Sequence, residues 1–259
     1  MNYLLVRNLP HLGVIPQTPL TSQLIETSSI SKAVETLKHF AYKYGIPTGY
    51  KQEQNGALIQ HIIPNKKTEL NQISSSSQID LELHTETAFH PYKPSYLLLL
   101  CLRGDPLAAT TYADIDDIVK SLDETTVKLL REPLFITSID ESFRTHGEPN
   151  RSILLPIITE DANGYVVCFD EFFMRGKTFQ AQQALDKFKE AISVNTKSVV
   201  LDYGDLLILN NRKVIHGRKH FSARYDGTDR WVLRILVMDK MPPDTEFTYD
   251  GHMVITTKF

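Results

Sequence analysis

The chain has 259 residues, a formal net charge of −3 and a hydrophobic fraction of 42%. That apolar fraction is enough for a sizeable core, and all-β barrels or sandwiches reach this length as one unit. The balanced charge excludes an extended basic face for nucleic acid, and the longest apolar run, 96–102, is too short to cross a bilayer. We therefore expect a single domain over 1–259 that binds neither nucleic acid nor membrane.

The two cysteines, Cys101 and Cys168, each lie in an apolar stretch. Buried thiols are therefore favoured over a disulfide, and no cysteine spacing typical of a zinc site is present. Residues 1–6 do not have the length or cleavage site of a signal peptide. A cytoplasmic location is the resulting expectation.

Strand patterns predominate along the chain, with a few helical segments between them. The predicted strands are 3–7, 58–63, Leu81–His84, Tyr96–Arg103, 153–158, 165–169, 199–201, 206–209 and 231–237. The predicted helices are 29–44, 114–122, Glu124–Leu130 and 178–193. The continuous apolar run Tyr96–Arg103 predicts a strand buried on both faces, and a tail follows Pro242 and Pro243. Many short strands with a few helices favour a mainly β fold, a double-sheet jelly roll with flanking helices.

Four residues have a spacing that is typical of a metal site beside an organic acid. His84 and Glu86 are two residues apart, so on a strand they point to one face. His216 follows the strand 206–209 and is expected in a loop. Two imidazoles and one carboxylate are the protein ligands of a non-heme Fe(II) site, and Arg230 can grip a carboxylate in a bidentate fork. Each residue alone has a plain alternative, such as a surface histidine beside a solvated glutamate, and only their combination favours iron.

Longer motifs around these residues resemble a known family. They are His-Thr-Glu-Thr-Ala-Phe-His-Pro-Tyr at 84–92, Ala-Thr-Thr at 109–111, Asn-Arg-Lys-Val-Ile-His-Gly-Arg at 211–218 and Arg-Tyr-Asp-Gly-Thr-Asp-Arg-Trp at 224–231. The chain resembles the clavaminate synthase-like branch of the Fe(II)/2-oxoglutarate oxygenases, and within it the free L-arginine and L-asparagine β-hydroxylases. The likeness covers residues 3–239. It implies a double-stranded β-helix.

The resemblance also implies roles for individual residues. Iron would be held by His84, Glu86 and His216, with 2-oxoglutarate and O2 as co-substrates. Arg230 would pair with the distal carboxylate of 2-oxoglutarate, and Thr111, or alternatively Thr110, would donate a hydroxyl to the same carboxylate. Arg234, four residues past Arg230, would contact a carboxylate of the substrate or co-substrate. The plain alternatives are ordinary strand threonines and a surface arginine.

The resemblance also implies residues that bind the substrate. Asp170 stands where the family places an acidic residue that reads the substrate side chain, although an exposed aspartate is the alternative. The arginine hydroxylases have a second aspartate where this chain has Cys168, which weakens arginine and leaves lysine, asparagine, glutamine or citrulline-like substrates open. Ser74 matches a position that holds the substrate α-carboxylate, and Gln54 or Glu86 would reach the substrate amine. The N-terminal helical flank usual in the family is not evident.

The expected activity is hydroxylation of an unactivated carbon, C3, of a free polar or basic L-amino acid, with release of succinate and CO2. Desaturation, cyclisation or C4 hydroxylation would use the same residues, and a carrier-bound amino acid is another substrate class. A barrel protein without catalytic activity is disfavoured by the intact ligand set. The sequence does not indicate an oligomeric state.

Overall fold

The computed structural model describes residues 2–21, 27–139, 143, 152–248 and 251–257. These residues form four α-helices, α1 (Ser31–Ala41), α2 (Ile115–Lys120), α3 (Glu124–Leu130) and α4 (Phe179–Asn195). The strands of the first half are β1 (Tyr3–Val6), β2 (Ile46–Tyr50), β3 (Gln60–Ile62), β4 (Leu81–His84), β5 (Tyr96–Arg103), β6 (Thr110–Asp114) and β7 (Phe135–Ser138). The strands of the second half are β8 (Ser152–Leu155), β9 (Ile158–Asp161), β10 (Gly164–Val167), β11 (Arg175–Gly176), β12 (Lys197–Val199), β13 (Leu206–Asn210), β14 (Val214–Arg218), β15 (Trp231–Met238), β16 (Thr245–Phe247) and β17 (Met253–Ile255).

Two sheets dominate the fold. The larger has eight strands in the order β1-β13-β5-β15-β2-β17-β16, with β3 also paired to β15, and the smaller has the order β12-β6-β14-β4. Pairing is antiparallel except between β17 and β2. Small sheets of β11-β7-β8 and of β9-β10 complete the strands. The fold is thus mostly β with few helices, as the pattern of short strands predicted.

Alternation along the central strands separates three cores. Side chains from the inner faces of both sheets meet in one core, which includes Leu97, Leu99, Leu207, Leu209, Val214, Val232 and Leu236. The residues between them on the larger sheet point outward and are covered by α1, among them Leu98, Leu100, Ile208, Leu233 and Ile235. The strand β5 is buried on both faces, as its unbroken apolar run predicted.

Helix α4 covers the outer face of the smaller sheet. Its buried residues recur at helical spacing, and Thr178 caps its start by accepting a hydrogen bond from the backbone N–H of Ala181 at 3.1 Å. Phe188 packs edge-on against Phe169, with ring centroids 5.2 Å apart, and Ile215 of β14 joins the same core. Full burial of a side chain such as Phe188 contributes about 1.5–3 kcal/mol, so α4 holds β14 and its histidine in place.

Several predicted boundaries differ from the structure. The predicted strand 153–158 is two strands, β8 and β9, with Pro156 between them, and β9 forms the hairpin with β10. Gly164 at this hairpin has φ of +92°, which glycine adopts without strain. The strand predicted at 199–201 lies at Lys197–Val199. The expected C-terminal tail contributes β16 and β17 to the larger sheet, because the short run Met253–Ile255 finds a parallel partner in β2.

Both cysteines are free thiols, as predicted, with Cys101 buried and Cys168 partly buried. Across the part of the chain that the structure describes, no helix combines the length and apolar character needed to cross a bilayer.

Candidate active site

Three side chains converge at one end of the space between the two sheets. His84 is the last residue of β4, Glu86 follows two residues later, and His216 lies opposite His84 in the antiparallel register of β14. One ligand atom from each of the three lies within 4.8 Å of the others. The Nε2 atom of His216 is 3.3 Å from Oε1 of Glu86, and the two imidazole centroids are 4.6 Å apart. The residues that the sequence singled out are therefore adjacent in space.

His216 lies within a strand, where a loop position had been expected. β14 is paired on both sides, with β4 and with β6, and this double pairing keeps the backbone extended through His216. The following Gly217 permits it, because a β-carbon there would overlap the carbonyl oxygen of Leu81 in the neighbouring strand. A rigid central strand therefore presents this imidazole.

Backbone contacts fix the orientation of His84. Its Nδ1 atom is 2.8 Å from the carbonyl oxygen of Glu82. A carbonyl can only accept, so Nδ1 carries the proton and Nε2 keeps its lone pair for a metal. The Nδ1 atom of His216 is buried and has no hydrogen-bond partner among the residues that the structure describes.

Electrostatics favour the protonation states that a metal requires. Burial acts to raise the pKa of Glu86, but the charge of Arg234 and the hydrogen bond from His216 outweigh it and hold the pKa below its usual range. Burial lowers the pKa of His216, and the neighbouring His84 lowers it further. One carboxylate and two imidazoles in this compact arrangement fit Fe(II) with open coordination positions.

Two unpartnered polar groups line the same cavity, which has a volume of about 300 Å³. Arg230 is buried, and neither a hydrogen bond nor an ion pair joins its guanidinium to any other part of the described chain. Burial lowers its pKa, whereas the nearby Cys101 and Asp105 raise it. The hydroxyl of Thr110 is buried, with the residue 2% exposed, and also lacks a partner among the described residues. Such groups are costly to bury unless a ligand completes them.

The register of β6 distinguishes the two candidate threonines. Thr110 pairs with Arg218 of β14, so it shares the face of His216, two residues away, and it lines the cavity. Thr111 pairs with Gly217 and points to the opposite face of the smaller sheet, where its hydroxyl packs over that glycine. The structure therefore places Thr110 in the cavity and Thr111 outside its lining.

Arg234 anchors a network of buried polar groups. Its Nη1 donates to both carboxylate oxygens of Glu86, its Nη2 donates to Glu53, and its Nε donates to Oε1 of Gln60 at 2.6 Å. Gln60 in turn donates to Oε2 of Glu53 at 2.9 Å. The predicted Gln54 also lines the cavity. The guanidinium is thus paired with two carboxylates and an amide, as buried charges require.

Glu53 and Gln60 were not singled out from the sequence. Glu53 is adjacent to Gln54, in a segment where Gln54 and Asn55 have positive φ values of 48° and 55°. That backbone breaks the alternation from which a strand face is read. The signal that could have found Glu53 is the density of polar residues at 52–55, Gln-Glu-Gln-Asn, directly after a strand.

Another part of the cavity wall, next to His84, is acidic and aromatic. Asp170 lines it, forms an isolated bridge with His84 and accepts a hydrogen bond from the backbone N–H of Phe173 at 2.8 Å. Glu82 and Phe172 also line the cavity. Burial, followed by the charge of Glu171, raises the pKa of Glu82.

The remaining substrate candidates differ in placement. Ser74 lines the cavity, and its carbonyl accepts a hydrogen bond from Arg218 at 3.3 Å. Cys168 donates to the carbonyl of Ala88 at 3.1 Å and lines a separate cavity. Since β10 ends at Val167, strand alternation does not bring Cys168 and Asp170 to one face.

Comparison with known proteins agrees with this geometry. The model of the family "Taurine catabolism dioxygenase TauD, TfdA family" matches residues 22–236. The chain is 32% identical over 249 residues to an L-lysine 3-hydroxylase of Catenulispora acidiphila, covering 91% of this chain and 67% of that protein. It is 29% identical over 240 residues to clavaminate synthase 2 of Streptomyces clavuligerus, covering 91% and 73% respectively.

A solved structure has a closely similar fold. It is asparagine oxygenase in complex with Fe(II), 2S,3S-3-hydroxyasparagine and succinate, with a TM-score of 0.86 and 29% identity. The match covers 99% of this chain and 80% of that one. The predicted resemblance to the clavaminate synthase-like oxygenases is confirmed, and the chain belongs to the TauD/TfdA dioxygenase family.

Proposed function

We propose that the protein is an Fe(II)- and 2-oxoglutarate-dependent dioxygenase that hydroxylates C3 of a free polar or basic L-amino acid, releasing succinate and CO2. One observation carries the proposal: three metal donors within 4.8 Å of one another share a cavity with an unpartnered buried guanidinium. A cation at the donors and a dicarboxylate between them and Arg230 would satisfy both. We assign the fold to the double-stranded β-helix, because two facing sheets enclose this site.

His84, Glu86 and His216 would hold the iron, which supplies O2 activation when bound. Arg230 would donate hydrogen bonds to the distal carboxylate of 2-oxoglutarate, and the hydroxyl of Thr110 would donate to the same carboxylate. Thr110 takes the role that had been expected first of Thr111. The support is that both groups are buried, line the cavity and lack partners within the described chain. A charged ligand there gains charge-assisted hydrogen bonds and relieves a buried cation.

The α-ammonium and α-carboxylate groups of the amino acid would bind near Arg234. Glu53 and Glu86 offer carboxylates to an α-ammonium, and Arg234, which is already paired with both, would contact the α-carboxylate through the N–H of Nη2 that does not bond Glu53. Gln54 and Ser74 line the same cavity. We favour a free amino acid over a carrier-bound one, because the similar asparagine oxygenase is solved in complex with 2S,3S-3-hydroxyasparagine.

The substrate side chain would extend toward Asp170 and Glu82. Two carboxylates at this end favour a cationic group over a neutral amide, because a cation would offset their mutual repulsion. L-Lysine is our first candidate, and the similarity to a lysine 3-hydroxylase agrees with it. The missing second aspartate had weakened the case for arginine, but Cys168 does not line this cavity, so L-arginine and L-ornithine remain candidates.

Desaturation, cyclisation and C4 hydroxylation remain the alternative outcomes at the same site, because only the hydrogen that is aimed at the metal differs. We propose a cytoplasmic location, in keeping with two free thiols.

The test is mass spectrometry of the protein incubated with Fe(II), ascorbate, 2-oxoglutarate and single L-amino acids. A gain of one oxygen on lysine, matched by succinate and abolished in His84→Ala, is the expected result. A loss of two hydrogens would indicate a desaturase. Succinate without an amino acid product would show that the substrate is not among the amino acids tested. Absence of succinate with iron bound would overturn the oxygenase assignment.

A further inference from the structure

Asn211 lies in the turn between β13 and β14, and its side chain forms hydrogen bonds with the backbone of the segment that carries Glu86. Its side chain is buried, with the residue 3% exposed. The Oδ1 atom accepts the backbone N–H of Glu86 at 2.7 Å, and Nδ2 donates to the carbonyl oxygens of Glu86 at 3.2 Å and Pro94 at 3.0 Å. The amide therefore holds both backbone polar groups of one residue.

The residue it holds is the carboxylate of the ligand set. Glu86 follows the end of β4, so no strand pairing of its own fixes its backbone. The next residue, Thr87, has φ of +52°, a conformation that costs a β-branched residue about 1–3 kcal/mol. Such a backbone persists only where its surroundings enforce it. The bonds from Asn211, with the hydroxyl of Thr87 donating to the Glu86 carbonyl at 2.8 Å, provide that enforcement.

Asn211 also belongs to the segment that leads to the third ligand. It lies five residues before His216, and its own backbone N–H donates to the carbonyl of Ser95 at 2.9 Å. Glu86 and His216 are remote in sequence, and no continuous strand joins them. The side chain of Asn211 is a direct polar link between the segments that carry them.

We propose that Asn211 is a positioning residue that sets the spacing between Glu86 and His216, and through it the affinity of the site for a divalent metal. The proposal rests on the proposed metal site. Asn211 does not touch the reacting groups. It acts as an outer partner of a ligand, a class of residue whose loss weakens metal binding about 10–100-fold.

The test compares Asn211→Ala with Asn210→Ala. Asn210 is the neighbour in the same turn, and its side chain accepts the backbone N–H of Arg212 at 3.0 Å. It therefore controls for loss of a side chain–backbone bond in this turn. The measurements are Co(II) affinity by calorimetry, the visible spectrum of the Co(II) protein, and the thermal midpoint of the metal-free protein.

We expect Co(II) affinity to fall about 10–100-fold in Asn211→Ala, with an altered Co(II) spectrum, and to change less than about threefold in Asn210→Ala. Asn211→Asp is nearly isosteric and guards against failure to fold. It keeps an acceptor for the Glu86 N–H but donates to neither carbonyl, so it should also bind Co(II) more weakly.

Wild-type affinity in both Asn211 variants, or an equal loss in Asn210→Ala, would overturn the positioning role while leaving the metal site intact. Failure of the wild-type protein to bind Co(II) would overturn the metal site itself, and the proposal with it.

Discussion

Arg234 donates from Nη1 to both carboxylate oxygens of Glu86, at 3.1 Å each. The same guanidinium pairs with Glu53, so one cation serves two buried carboxylates. Burial acts to lower the pKa of Arg234, but Glu53 and Glu86 outweigh it and raise the pKa above its usual value. Arg230, four residues earlier, lines the same cavity but has no such partner within the described chain. Both arginines are buried cations, but Arg234 is paired with carboxylates and Arg230 is not.

The first prediction follows from that contrast. In the metal-free protein, Arg234→Gln should lower the free energy of unfolding by about 3–5 kcal/mol, because it leaves two buried carboxylates without their cation. Arg230→Gln should lower it by less than about 1 kcal/mol or raise it, because it removes an unpaired buried charge. Urea unfolding without metal or 2-oxoglutarate measures both. Equal losses in the two variants would contradict the assigned pairing.

The second prediction concerns the neighbouring threonines of β6. Thr110→Val removes a hydroxyl that lines the cavity and should raise the KM for 2-oxoglutarate about 10–100-fold, since a hydrogen bond to a charged group contributes about 1.5–3 kcal/mol. Thr111→Val is the matched control and should leave that KM within about twofold. Succinate formation at saturating amino acid measures both. The reverse ranking would show that Thr111 reaches the co-substrate.

The third prediction tests the recognition of the substrate amine. Glu53→Gln preserves the size of the side chain and removes its charge. The KM for the amino acid should rise about tenfold while the KM for 2-oxoglutarate is unchanged, because the ammonium loses a charge-assisted partner whereas Arg234 keeps its pairing with Glu86. Glu35→Gln, on the exposed face of α1, serves as the control. If only the KM for 2-oxoglutarate increased, Glu53 would act in co-substrate binding and not in recognition of the substrate amine.

The fourth prediction concerns the charge of the substrate side chain. Glu82→Gln should lower the ratio of kcat/KM for lysine to that for asparagine about tenfold, because a cation loses a carboxylate that a neutral amide does not need. Glu190→Gln, on the solvent side of α4, should leave the ratio unchanged. Competition assays with both amino acids in one mixture give the ratio directly. An unchanged ratio in Glu82→Gln would remove Glu82 from the specificity determinants.

The fifth prediction concerns pH. Burial lowers the pKa of His90, whose side chain is 0% exposed, from 6.5 to about 4. The unfolded chain therefore takes up a proton at higher pH than the folded protein, so the contribution to stability is complete above pH 6.5 and is lost as the pH falls from 6.5 toward 4. From pH 7 to pH 5 this linkage costs the metal-free protein about 2 kcal/mol.

His90→Asn should abolish that part of the pH dependence. Its Oδ1 can still accept the backbone N–H of Tyr92, which Nδ1 of His90 accepts at 2.9 Å. Urea unfolding at the two pH values measures the difference, and His39→Gln on the surface of α1 is the control. The same slope in His90→Asn and the wild type would assign the acid sensitivity to other groups.

The donor types of the metal site and many of the strands and helices could be predicted from the sequence. His84 and Glu86 are close in the chain, and the donor types of all three candidates are readable without a structure. The bounds of β4 and β5 were predicted correctly, and the unbroken apolar run of β5 is what its burial on both faces requires. Helix α4 was predicted within two residues, since its apolar face repeats at helical spacing.

Which neighbouring side chains face the cavity depends on how distant strands pair. The face of Thr110 depends on the register of β6 with β14, and Cys168 turns away because its strand has already ended. The links of Glu53 to Arg234 and of Asn211 to Glu86 join segments more than a hundred residues apart. Local sequence carries periodicity and donor type, whereas register and long-range hydrogen bonds arise only when distant strands pair.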